Sequence, residues 1–245
     1  MADTLTMAGI YTEDELTPFT FEEAAAAMKW ALAEELNTSE DKVPLNSLAL
    51  ALAKTALETG RWKHIHKYNW GNIKASAKYE GMYTCFGCDE IIKGQRVWFD
   101  PDTAYDPQDP LGMPNAKFAK PSVPPGNPQT RFRAYANLYD GAQQYCAFVH
   151  GGRYKLAWAE LLKGNVQGYI HQLKLAGYFT ADEAVYLKGV SGIFNEFMGK
   201  LKGLPGPETE IDWDAIRKEA RVLLYTYSDL QSQLKLDAAQ ATPNT

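Results

Sequence analysis

Apolar residues recur along this chain at two periods, and the change of period marks its organisation. Between Thr20 and Gly60 they return at helical spacing. Phe21, Ala25, Met28, Leu32 and Leu36 make one stripe, and Leu45, Leu48, Leu52, Ala56 and Leu57 make a second. Thr20 with Glu23 is a capping box that opens the first helix. That helix ends near Asn37, and Pro44 and Asn46 lead into the second. Gly60 stops the second helix just past Glu58. Two helices thus precede Glu58 and are expected to pack on one another.

Between Ile73 and Phe132 the pattern turns strand-like. Gly81 to Cys85, Glu90 to Ile92 and Arg96 to Phe99 read as short strands, the last two as a β-hairpin across Lys93, Gly94 and Gln95. A proline-rich loop then runs from Asp100 to about Gln129, and loops of that length are functional or disordered. Thr130 to Tyr135 reads as a closing strand. Helical spacing resumes over Gly141–Val149, with Asp140 as its cap, then over 154–162, 166–175 and 181–198. Gly203 to Pro207 is a linker, and Asp212 caps a last amphipathic helix. The expected class is α+β, mainly α, with a small β-hairpin lobe inserted between helices. The expected domains are an N-terminal arm over 1–19, a catalytic domain over 20–200 and a helical extension over 208–245.

Composition narrows the function. The 245 residues carry a net charge of -5 and no Lys/Arg-rich run, so a nucleic-acid partner is not expected. No apolar stretch approaches the ~20 residues of a membrane span. Met1 to Met7 lacks a basic region followed by an apolar one, so no signal peptide is expected and synthesis in a reducing cytoplasm is the default. Three cysteines are too few for a disulfide scaffold. Cys85 and Cys88 form a Cys-x-x-Cys pair, Cys146 and His150 an i, i+4 pair, and His64 and His66 flank Ile65. Two of these cysteines with two further ligands make a four-ligand zinc site. A local disulfide and ordinary thiols are the other outcomes, so no cofactor is required and a structural zinc at Cys85 and Cys88 stays open.

Glu58 is the residue with the clearest chemistry. It ends an apolar helix, at the negative end of the helix dipole. That position and partial burial both favour the protonated carboxyl, the form a general acid needs.

The segments Ala53-Lys-Thr-Ala-Leu-Glu-Thr-Gly60 and Tyr68-Asn-Trp-Gly-Asn-Ile-Lys-Ala75 resemble the N-acetylglucosaminidase family of peptidoglycan hydrolases, flagellar and autolysin types. Arg131-Phe-Arg-Ala-Tyr135, Asp140 to Tyr154 and Leu173-Lys-Leu-Ala-Gly-Tyr178 continue the likeness in order, over roughly residues 45–195. The resemblance implies a lysozyme-like fold and cleavage of a β-1,4 bond in the glycan strand, with peptidoglycan as partner. It implies Glu58 as the acid and a second carboxylate in the hairpin, four residues before a turn glycine. Glu90 stands so before Gly94, with Asp89 next and Glu80 third. It implies Tyr178 beside the acid, with Tyr186 as the fallback. Tyr68, Asn69 and Trp70 would form a sugar-binding wall, and Gly71 would let the backbone approach the substrate. Trp70 departs from the more usual Phe. A wall enzyme without an export signal suits a phage-encoded endolysin or a lysin carried with other virion proteins, acting after release. A lytic transglycosylase or muramidase of the same fold, and a virion structural protein with a relic lysozyme-like domain, are the competing readings.

Overall fold

The computed structural model describes residues 8–92, 94–103 and 124–204. The chain divides into Met1–Gly203 and Leu204–Thr245. The expected C-terminal helix and most of the proline-rich loop lie outside the described residues, as does the beginning of the N-terminal arm. The class is mainly helical α+β, as expected.

Helices α1 (Phe21–Glu35) and α2 (Leu45–Glu58) come first. Thr20 and Glu23 make both bonds of the capping box, so two of the free N–H groups at the start of α1 are satisfied reciprocally. α2 is buried on all sides from Ser47 to Ala56. Its alanines, Ala49, Ala51, Ala53 and Ala56, are at most 1% exposed. A helix that is apolar all round belongs at the centre of a fold. α2 accordingly packs against α1, α4 (Lys155–Leu162) and α6 (Glu183–Gly203). α3 (Leu138–His150) lies on α1, and α5 (Val166–Leu175) joins α4 to α6. The cap of α3 is Asn137, not Asp140 as the sequence suggested. Asn137 is extended and its side chain accepts from Tyr139 and Asp140 N–H. Asp140 sits one turn in and accepts from the Ala136 N–H instead.

The β-lobe holds two sheets. β1 (Ile10–Tyr11) pairs parallel to β2 (Met82–Cys85), which pairs antiparallel to β5 (Arg131–Arg133). β3 (Cys88–Ile92) and β4 (Gln95–Phe99) form the expected hairpin, with Glu90 opposite Val97. Residues 8–19 are tied to the body. Thr17 N–H donates to Ile65 O, Asp14 pairs with His66, and Glu15 pairs with Lys67.

The chain turns sharply after α2. Gly60, Arg61 and Trp62 all have positive φ, of 58°, 59° and 61°. Such a run is strained for residues other than glycine. It persists because Trp62 is buried among Phe19, Trp70 and Phe197, and because its indole N–H donates to Thr55 Oγ1. The cluster holds the end of α2, and therefore Glu58, in place.

Candidate active site

α2 delivers Glu58 into a cleft of ≈ 990 Å³. Phe86, Glu90, Trp98 and Phe132 line it from the β-lobe. Phe148, Tyr154, Tyr178, Phe179 and Tyr186 line it from the helical part. Gly71 to Lys74 lines it between them.

The Glu58 side chain is 20% exposed. Its backbone carbonyl accepts from Asn72 Nδ2 at 2.9 Å, which fixes the turn against the end of α2. Its Oε1 accepts the hydroxyl hydrogen of Tyr186. The Tyr186 ring stacks on Phe179 at 4.0 Å and 6°. Burial, and next the charge of Glu58, push the Tyr186 hydroxyl well above its ordinary pKa, so it remains a donor. On the other side Lys54, one helical turn back, brings Nζ to 3.7 Å from Glu58 Oε1. Lys54 is fully buried. No hydrogen-bond acceptor reaches its ammonium group. Nζ instead lies 3.5 Å from the Tyr178 ring centroid. Burial lowers the Lys54 pKa to about 8, although Glu58 supports the charge.

Glu90 lines the same cleft as Glu58. Its Oε1 lies 3.0 Å from Lys74 Nζ. Lys74 also donates to Gln129 O and to Cys88 Sγ, and stands over the Phe132 ring at 4.1 Å. Lys74 therefore anchors the hairpin carboxylate to the turn that follows Glu58. Asp89 also lines the cleft but is paired with Arg96. Glu80 is exposed and lies outside the lining.

Both tyrosines line the cleft, and they differ in what their hydroxyls touch. Tyr178 donates its hydroxyl to Gly71 O at 2.8 Å and covers Lys54 with its ring. Tyr186, the fallback, is the one that touches Glu58. The expected wall of Tyr68, Asn69 and Trp70 does not line the cleft. Asn69 and Trp70 are 0% exposed. Asn69 donates to Ile73 O and Arg133 O and accepts from Ile73 N–H, while Trp70 donates to Leu138 O. Positive φ at Lys67, Tyr68 and Asn72 folds this turn inward. Its polar groups are spent on the backbone, and the Tyr68 carbonyl lies where Gly141 lacks a Cβ. Gly71 does line the cleft, and a Cβ there would meet the Tyr178 hydroxyl at 2.5 Å.

The aromatic surface comes from elsewhere. His66, Phe86 and Phe132 form a continuous stack at 3.8 and 4.0 Å, and Trp98 is 52% exposed. Alternation in the strands could have flagged Phe86, Trp98 and Phe132 as a surface. Lys54 had a clearer signal, because it is the one basic residue in an apolar helix and stands four residues before Glu58.

The thiols do not assemble a zinc site. Among the described residues no three His, Cys, Asp or Glu side chains come together as ligands. Cys146 contacts Met28 Sδ, and His150 pairs with Glu35, both on the α1 side of α3. Cys85 and Cys88 are free thiols. Burial pushes Cys85 up to about 11, the wrong direction for a metal-binding thiolate. No described helix is long and apolar enough to cross a membrane.

No family model matches this chain, and no curated protein matches it. Among solved structures it is similar to a peptidoglycan hydrolase mutant from Sphingomonas sp. A1, with 22% identity, a TM-score of 0.48, and coverage of 76% of this chain and 96% of that one. It is also similar to the truncated glycoside hydrolase domain of FlgJ from Salmonella typhimurium, with 18% identity, a TM-score of 0.42, and coverage of 75% and 96%.

Proposed function

We propose that this chain is a glycoside hydrolase that cuts the β-1,4 bond of the peptidoglycan glycan strand as an endo-β-N-acetylglucosaminidase. The observation that carries the reading is Glu58, a partly exposed carboxyl at the end of a buried helix, in an aromatic cleft that also holds Glu90. The ordered sequence segments that resemble N-acetylglucosaminidases name the polymer, and the cleft supplies the chemistry.

Glu58 donates a proton to the glycosidic oxygen as the bond breaks. Tyr186 orients it by donating to Oε1. Glu90, aimed by its ion pair with Lys74, faces the positive charge that develops on the sugar, or takes a proton from the attacking water. Trp98, 52% exposed at the edge of the cleft, offers a face on which a pyranose ring stacks.

A lytic transglycosylase is the second reading. It needs a single acid–base carboxyl, and the ion pair that occupies Glu90 favours it. Digestion of purified cell walls tests both. Wild type should clear the wall and release reducing N-acetylglucosamine ends, and Glu58→Gln should leave it intact. Anhydro-muramic ends would select the transglycosylase. Equal clearing by Glu58→Gln would reject Glu58 as the acid.

A further inference from the structure

Lys54 has no function in the mechanism above, yet it is the most anomalous side chain in the molecule. A buried ammonium group normally finds several acceptors. Here Nζ is sealed from water with no hydrogen-bond acceptor, beside one carboxylate oxygen and one aromatic face. The other titratable groups turned toward the pair are tyrosines. Tyr145 comes from α3, with its ring centroid 5.4 Å from Nζ, and its hydroxyl meets that of Tyr169 from α5 at 3.1 Å. Tyr178 comes from the loop after α5, and Tyr186 from α6. Burial pushes all four hydroxyls above their ordinary pKa, so none is a base that competes for the proton. Among the described residues, the charge that acts on Lys54 is that of Glu58.

An ion pair of this kind depends on water reaching Glu58. A glycan strand in the cleft would cover the exposed edge of Glu58 and leave both charges in a medium of low dielectric. A neutral amine beside a neutral carboxylic acid is then the better pair. That is also the form in which Glu58 can act as an acid.

We propose that Lys54 is the proton store of the site, a positioning residue that passes its proton to Glu58 when substrate dries the cleft and the 3.7 Å separation closes to hydrogen-bond distance. One N–H bond of Lys54 breaks and one O–H bond of Glu58 forms. Glu58 then gives that proton to the leaving glycosidic oxygen. The attacking water gives up a proton to Glu90 or to solvent, and the pair recovers one from solvent, so the cycle consumes only water. The inference rests on the glycosidase reading.

Turnover against pH, on purified glycan strands, separates this role from a purely electrostatic one. Wild type should keep its turnover until pH approaches about 8, where the pair loses its last proton. In Lys54→Met, Glu58 acts alone, and the alkaline limb should move toward acid by about one unit or more. If Lys54 were only a fixed charge, its removal would simply withdraw a positive charge from beside the acid. The limb would then move the other way, and that result overturns the proposal. Lys54→Arg keeps the charge but cannot release a proton. Its kcat should fall about a hundredfold with little change in KM, the lower end of the loss typical for a missing acid–base step. Arginine turnover equal to wild type would also overturn the proposal. Calorimetry confirms that each variant is folded. A readout free of turnover is the ¹³Cε signal of Lys54 at pH 7. Saturation with an N-acetylglucosamine oligomer should convert it from the ammonium to the amine form, and an unchanged signal would count against the proton store. If wild type cuts no glycan, the glycosidase reading fails. If it cuts and any of the contrary results appears, the proton store alone fails.

Discussion

Replacing Lys54 with methionine should stabilise this protein while impairing it. Burial lowers the Lys54 pKa from 10.5 to about 8, and Glu58 only partly offsets the effect. At about 1.4 kcal/mol per pKa unit, holding the charge inside the fold costs about 3 kcal/mol. The folded pKa lies below the unfolded one, so the unfolded chain binds this proton more tightly. Wild-type stability therefore carries the full penalty below about pH 8 and regains it as pH rises toward 10.5. Methionine has a similar shape and no charge to bury. Glu58 is not stranded by the change, since its side chain is 20% exposed and retains the Tyr186 hydroxyl. Loss of the cation over the Tyr178 ring takes back about 1–2 kcal/mol. The net gain at pH 7 is then about 1–2 kcal/mol, a rise in Tm of roughly 2–8 °C for a chain of this size. Calorimetry of both proteins at pH 7, 9 and 10.5 checks it. The advantage should shrink over that range and vanish at its top. A variant less stable than wild type at pH 7, or a difference that ignores pH, would refute the reasoning.

Three further outcomes follow from neighbouring contacts. Gly71→Ala places a Cβ 2.5 Å from the Tyr178 hydroxyl and 3.0 Å from the Tyr145 ring, so thermal unfolding should show a loss of about 1–3 kcal/mol. Tyr186→Phe removes the hydroxyl that donates to Glu58. Steady-state kinetics should show turnover about tenfold lower, the value of one hydrogen bond of about 1.4 kcal/mol, with KM little changed. Glu196 is held down to about 2 by its hydrogen bonds to Arg61 and Lys200. Its contribution is present above its ordinary 4.5 and lost as pH falls through about 2. The side chain is 38% exposed. Solvent screening keeps the term under about 1 kcal/mol, so Glu196→Gln should lower Tm slightly at pH 7 and not at all near pH 2.

Much of the frame was legible because local patterns and tertiary packing agree. The capping box at Thr20 and Glu23, the apolar stripes of α1 and α2, and the hairpin holding Glu90 all follow from spacing alone. Glu58 was legible for the same reason, as the last helical residue, two before a glycine stop. The turn after it was misread. Tyr68, Asn69 and Trp70 look like exposed loop chemistry, but inward folding through left-handed backbone positions is a tertiary outcome that composition does not encode. Tyr186 was underrated because its partner lies far away in sequence, and only the docking of α6 on α2 brings them together. Lys54 was visible and passed over, since a single lysine in an alanine-rich helix ordinarily snorkels to solvent.

Tyr186 reaches Glu58 from 128 residues further along the chain. The same helix covers Leu57, whose methyl group lies 3.2 Å from where a Cβ on Gly189 would stand. The acid is thus completed by one of the last segments of the domain to leave the ribosome. For a wall-cutting enzyme of the proposed kind, this is a built-in delay. A nascent or prematurely terminated chain carries Glu58 without the hydroxyl that aims it or the helix that shelters its base. Under that reading, a chain cut short before this helix lacks a finished acid.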